Sequence, residues 1–136
     1  MRARILIALA ALLILAMLLP ASQAVVTTRR FGVPRWLFTL SATDANRTAL
    51  RLARQLTGRP KVLVYSYCYH GSVDEAFAVE EGGVTVAREG NVGAPVDVGA
   101  TTVAIDFNDL EALERALATG EIAVVLAEPA MTNMGI

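Results

Sequence analysis

The chain has 136 residues, a formal net charge of −1 and 54% hydrophobic residues. That length suits one domain or part of a larger one, and the near-neutral balance excludes a broad surface for tracking nucleic-acid phosphates. A single cysteine, Cys68, and a single histidine, His70, exclude an intrachain disulfide and a metal site rich in Cys or His.

Residues 1–24 differ from the rest. Arg2 and Arg4 precede an unbroken apolar run from Ile5 to Leu19. Pro20 ends the run, and small Ser22 and Ala24 follow at the spacing a signal peptidase prefers. The run falls short of the roughly 20 residues of a bilayer-spanning helix. The expectation is a cleaved secretory leader at 1–24, with an uncleaved anchor or a misread gene start as the alternatives. A true signal implies export, a misread start implies the cytoplasm, and only an uncleaved leader implies a membrane. Residues 25–136 carry the fold.

The stretch "VVTTRRFGVPRW" (25–36) reads as an irregular approach, punctuated by Gly32 and Pro34. "LFTL" is a brief apolar extension. In "SATDANRTALRLARQLTG", Ala45, Ala49, Leu52, Ala53 and Leu56 recur at helical spacing, with Ser41 or Thr43 as the cap and Gly58 as the stop. "KVLVYS" (61–66) is a buried strand by its nearly continuous apolar run. Residues 72–81 are expected to form a short helix, followed by a glycine-rich loop with a short "VTVA" extension. "TTVAIDF" is a strand, and Asn108 caps the next helix, with Glu111 at capping-box spacing. Leu110, Leu113 and Leu117 form that helix's apolar stripe, and Gly120 ends it. "IAVVLAE" is the last strand. Strand, helix and strand in this order give an α/β fold, a mostly parallel sheet with flanking helices.

Open α/β sheets bind ligands at the carboxyl ends of their strands. Three segments fit that position. "SATDAN" at a helix mouth offers backbone amides and the hydroxyls of Ser41 and Thr43 to an anion. "YCYHG" places the ring of Tyr69 where a planar heterocycle can stack, with His70 either orienting it or lining the substrate entrance and Gly71 allowing a close turn. "EPAMTN" puts Glu128 and Asn133 at the end of a buried strand. Each has a plainer reading: a capped helix, rim aromatics with a hydrogen-bonded histidine, and a structural carboxylate. Cys68 reads as a small buried hydrophobe rather than a nucleophile.

Taken together, "SATDANRTALRLARQLTGR", "YHG", "FND" and "EPAMTNMG" resemble the class III aminotransferases, pyridoxal-phosphate enzymes of fold type I that include glutamate-1-semialdehyde aminomutase. The resemblance covers about residues 31–136. It implies pyridoxal 5'-phosphate as cofactor. Its phosphate would sit on Ser41, Ala42 and Thr43, where alanine replaces the family's usual glycine. Tyr69 would stack on the ring, beside His70, with Glu128, Pro129 and Asn133 close to the ring and substrate side. It also implies an amino donor and an oxo acid as substrates, and a homodimer. No nucleic-acid partner is expected.

Transamination needs a lysine that forms a Schiff base and moves a proton, and a carboxylate on the pyridine nitrogen. Lys61 is the one lysine of the chain. It starts the strand that ends near Tyr69, so it belongs to the opposite sheet edge. The resemblance places the Schiff-base lysine and the ring aspartate in segments following residue 136. The chain thus reads as part of the large domain, with no catalytic residue of its own and inactive alone. A remnant that binds nothing, and an unrelated α/β domain with an anion or nucleotide site, are the competing readings. An open strand edge after residue 127 also implies marginal stability in isolation.

Overall fold

The computed structural model describes residues 23–93, 96–131 and 133–135. The apolar run read as a leader lies outside them. Among the described residues, no helix is long and apolar enough to cross a membrane. The chain divides into two compact units between Thr39 and Leu40.

In the first unit, residues 23–31 are helical (α1) rather than irregular from 25 onward. Gly32 closes this helix. Its φ of 69° is left-handed, and its N–H donates to Thr28 O at 2.9 Å. The indole Nε1 of Trp36 donates to Val33 O at 2.7 Å, and its ring lies 5.8 Å from that of Phe31. The extension expected at 37–40 forms no strand.

The second unit carries helix α2 (Ala42–Thr57), strands β1 (Lys61–Tyr65), β2 (Ala78–Glu81), β3 (Val84–Ala87) and β4 (Thr102–Ile105), helix α3 (Leu110–Ala118) and strand β5 (Ile122–Leu126). β1 is the centre of a three-stranded sheet in the order β4-β1-β5, parallel to both neighbours. Val62, Leu63 and Val64 are fully buried. Side chains alternate across a strand, so both faces must be covered. Val62 and Val64 pack with Leu50 of α2, and Leu63 packs with Ala116 of α3. The two helices therefore cover opposite faces. Each buried aliphatic side chain is worth roughly 1.5–3 kcal/mol, which makes β1 the anchor of the unit. β5 is an edge strand, and among the described residues nothing pairs beyond it.

The caps follow local chemistry. Ser41 is extended, and its Oγ accepts from Asp44 N at 3.1 Å, while Gly58 ends α2 in the left-handed region. At α3 the cap is Asp109, not Asn108: its Oδ1 accepts from Ala112 N at 2.8 Å. Asn108 instead takes a φ of 66° in the turn before the helix, a conformation asparagine tolerates better than most. The shift moves Glu111 to the second helical position, so the expected capping box does not form.

Residues 72–81 also depart from the sequence expectation. Only Asp74–Phe77 is helical, as a single 3₁₀ turn, and the chain then enters β2. β2 and β3 pair as an antiparallel hairpin through Gly82 and Gly83, both at positive φ. Two such residues match the right-handed twist of the strands they join. The hairpin is fastened to the sheet by Thr85 Oγ1, which accepts from Ala104 N at 2.9 Å, and by Ser66 Oγ, which accepts from Glu80 N at 3.0 Å.

The cap assignment predicts that Asp109→Ala lowers stability by about 1 kcal/mol. Asn108→Gly, which relieves a left-handed residue of its Cβ, leaves stability unchanged or raises it. Urea unfolding of the two variants separates the roles.

Candidate functional site

The loop that leaves β1 builds the site. Cys68 N donates to Tyr65 O at 3.1 Å, closing a turn in which Tyr67 has a φ of 64°. A left-handed residue with a Cβ costs of order 1–2 kcal/mol and needs support from its surroundings. That support comes from elsewhere in the chain. Asn133 Nδ2 donates to Tyr67 O at 2.6 Å, and Glu128 Oε1 accepts from Tyr69 N at 2.9 Å. Both residues follow β5, so the "EPAMTN" segment binds the backbone of the "YCYHG" segment.

The helix mouth of α2 joins the same edge. Ser72 N donates to Thr43 Oγ1 at 3.3 Å, and Asn46 Nδ2 donates to His70 O at 2.9 Å. Gly71, at a φ of 78°, lies against Thr43 so closely that a Cβ there would sit 2.1 Å from Thr43 Oγ1. Two residues of chain span at most about 7 Å, so the backbone of Tyr69 lies within that reach of the Thr43 contact. The structure thus places Ser41, Ala42, Thr43, Tyr69, His70, Glu128 and Asn133 along one edge of the sheet. Lys61 stands at the other end of β1, with its Nζ 2.9 Å from Glu121 Oε2.

The side chains differ in their exposure. Tyr69 is 65% exposed, whereas His70 is buried. Among the described residues, His70 Nε2 has no hydrogen-bond partner. Burial lowers the His70 pKa from its ordinary 6.5, although Glu128 and a bond to the Leu126 backbone oppose the shift. Burial pushes the Cys68 thiol up to about 11 against the nearby Arg88 charge. A thiol held that far above neutrality is not a nucleophile. Asp44 accepts from Ser41 Oγ at 2.7 Å and so serves the helix start.

Asn46 and Arg88 are absent from the sequence-derived set. Arg88 Nη2 donates to Cys68 O at 2.9 Å and to Ala76 O at 3.0 Å. With Ser72, Asp74, Phe77 and Asn91, Arg88 also lines a cavity of about 700 Å³ beside the loop. Helical spacing puts Asn46 near the start of α2, but nothing local says that it reaches a carbonyl 24 residues away.

No family model matches the chain. Solved structures do. A glutamate-1-semialdehyde-aminomutase from Pseudomonas aeruginosa PAO1 shares 50% identity and a TM-score of 0.78, over 85% of this chain and 26% of that one. A lysine-to-alanine variant of the enzyme from the same organism, in complex with PMP, gives 51% identity and a TM-score of 0.75, over 82% and 25%. The chain resembles the class III pyridoxal-phosphate-dependent aminotransferase family. An omega-transaminase from Sphaerobacter thermophilus extends the likeness, at 35% identity and a TM-score of 0.60 over 71% and 24%. The chain spans about a quarter of the length of these aminotransferases, and its parallel sheet and flanking helices match part of the fold-type I large domain.

Two predictions follow from the packing. Gly71→Ala forces a Cβ into Thr43 at a left-handed φ, and should cost at least 1–3 kcal/mol, roughly the penalty of an overpacked site, in urea unfolding. The depressed His70 pKa makes the folded state bind its proton less readily than the unfolded chain. Stability from this source is full above the unfolded value of 6.5 and is lost as pH falls below it toward the folded pKa. His70 is the only histidine, so His70→Gln should flatten the decline of the urea midpoint across that window.

Proposed function

We propose that residues 25–136 are a cofactor-seating part of a pyridoxal-phosphate-dependent aminotransferase large domain, behind a leader at 1–24. The close contact of Thr43 with Gly71 carries this reading, because it joins the helix mouth to the loop that presents Tyr69. The residues fit a flat phosphorylated ring. Among the described residues, the amides of Ala42 and Thr43 donate to no partner, and the Tyr69 ring is open to solvent.

On this reading the amides of Ala42 and Thr43 and the Thr43 hydroxyl hold the phosphate, helped by the α2 dipole, whereas the Ser41 hydroxyl, expected to join them, donates its proton to Asp44 and serves as the helix cap. Tyr69 holds the face of the ring. Glu128 and Asn133 act through the loop backbone that they bind, and His70, next to Tyr69 in the chain, is buried. Pyridoxal 5'-phosphate supplies, when bound, an electron sink for bond cleavage next to an amino group. The chain itself binds and orients. Lys61, ion-paired to Glu121 at the far end of β1, does not reach the site, so this chain alone does not transfer amino groups. The aminotransferase resemblance implies that complete relatives pass an amino group between an amine or amino acid and an oxo acid, and it implies a homodimer.

Titration of the purified chain with pyridoxal 5'-phosphate, followed by absorbance, tests the proposal. Saturable binding is expected. Tyr69→Ala should weaken it about three- to tenfold, the worth of one aromatic pair, and Lys61→Ala should leave it unchanged. Absence of saturable binding, or a band that disappears with Lys61→Ala, overturns the reading.

A further inference from the structure

Three consecutive residues, Tyr67, Cys68 and Tyr69, each have a backbone group held by a distant side chain. Asn133 holds the Tyr67 carbonyl, Arg88 the Cys68 carbonyl and Glu128 the Tyr69 amide. Arg88 comes from another part of the fold than the other two. It follows β3, and its own N–H donates to Phe77 O at 2.7 Å. Its guanidinium carbon lies 5.7 Å from the Tyr67 ring centroid and 6.0 Å from that of Phe77. One guanidinium nitrogen therefore serves two carbonyls while the flat group lies near two rings, and a lysine has no such flat face to offer them.

We infer that Arg88 is a positioning residue: it locks the left-handed turn at Tyr67 and so fixes the direction in which Tyr69 is presented. The hairpin β2–β3 then has a task in the site, which is to deliver this guanidinium. That Tyr69 receives a flat ligand rests on the cofactor reading above. That Arg88 locks the loop does not.

Amide hydrogen exchange of the ligand-free chain is the first test, comparing Arg88→Met with the wild type at Tyr69 N–H and at Leu63 N–H in the core. Exchange at Tyr69 should accelerate about tenfold or more, the loss of a charge-assisted bond, while Leu63 stays unchanged. Equal acceleration at both amides means a general structural role and overturns the inference, as does no change at Tyr69. Arg88→Lys keeps the charge and the stem, so it serves if Arg88→Met does not fold, and it should show the same selective loss. The second test compares two probes on the variant that folds. Pyridoxal 5'-phosphate should bind about tenfold more weakly, with inorganic phosphate unaffected. Equal affinity for pyridoxal 5'-phosphate in variant and wild type overturns the inference. If the wild type binds no pyridoxal 5'-phosphate, the cofactor reading fails, and the exchange experiment still decides the role of Arg88.

Discussion

Parallel pairing of β1 with both β4 and β5 constrains everything else in the second unit. Parallel strands end at the same edge, so the loop after β1 and the segment after β5 leave the sheet side by side. Parallel strands also need covered faces, and Leu50 of α2 and Ala116 of α3 supply the cover on opposite sides of Val62, Leu63 and Val64. The mouth of α2 reaches the same edge through its contact with Gly71. Burial of a single short strand thus brings segments from residues 41 to 133 into one neighbourhood.

That neighbourhood is polar where it is held and aromatic where it is open. The loop from Tyr67 to Tyr69 forms no regular structure, and tertiary hydrogen bonds to its backbone take the place of a ladder. Glu128 and Asn133 are used on the loop's amide and carbonyl. On the proposed reading they serve a ligand only through the loop that they shape. Tyr65 meets the Phe107 ring and Tyr67 the Arg88 guanidinium, whereas among the described residues the widely exposed Tyr69 ring has no such contact. The exposed Tyr69 ring and the open amides of Ala42 and Thr43 are the two features on which the proposed cofactor seat rests.

Much of this was legible in the sequence. The helix from Ser41 to Gly58 and the strands at 61–65, 102–105 and 122–126 follow from apolar spacing and from glycine stops, which act locally. The "YHG" and "EPAMTN" segments were readable as strand ends for the same reason. The hairpin at 78–87 was missed although Gly82 and Gly83 between two apolar-polar runs carry its signal. The α3 cap was misplaced by one residue, because Asn108 and Asp109 are both good caps and only the path of the chain after β4 chooses between them.

Sequence alone determined helices α2 and α3 and strands β1, β4 and β5, which side chains are apolar enough to be buried, and that one lysine stands at the start of a strand. These depend on neighbours within a few residues. Tertiary structure alone decided that Asn46 reaches His70, that Gly71 touches Thr43 and that Arg88 spans Cys68 and Ala76. Each of these joins groups far apart along the chain, and local propensity does not encode the meeting of such groups. It is set by the register of a parallel sheet and by the need to give buried backbone donors and acceptors a partner.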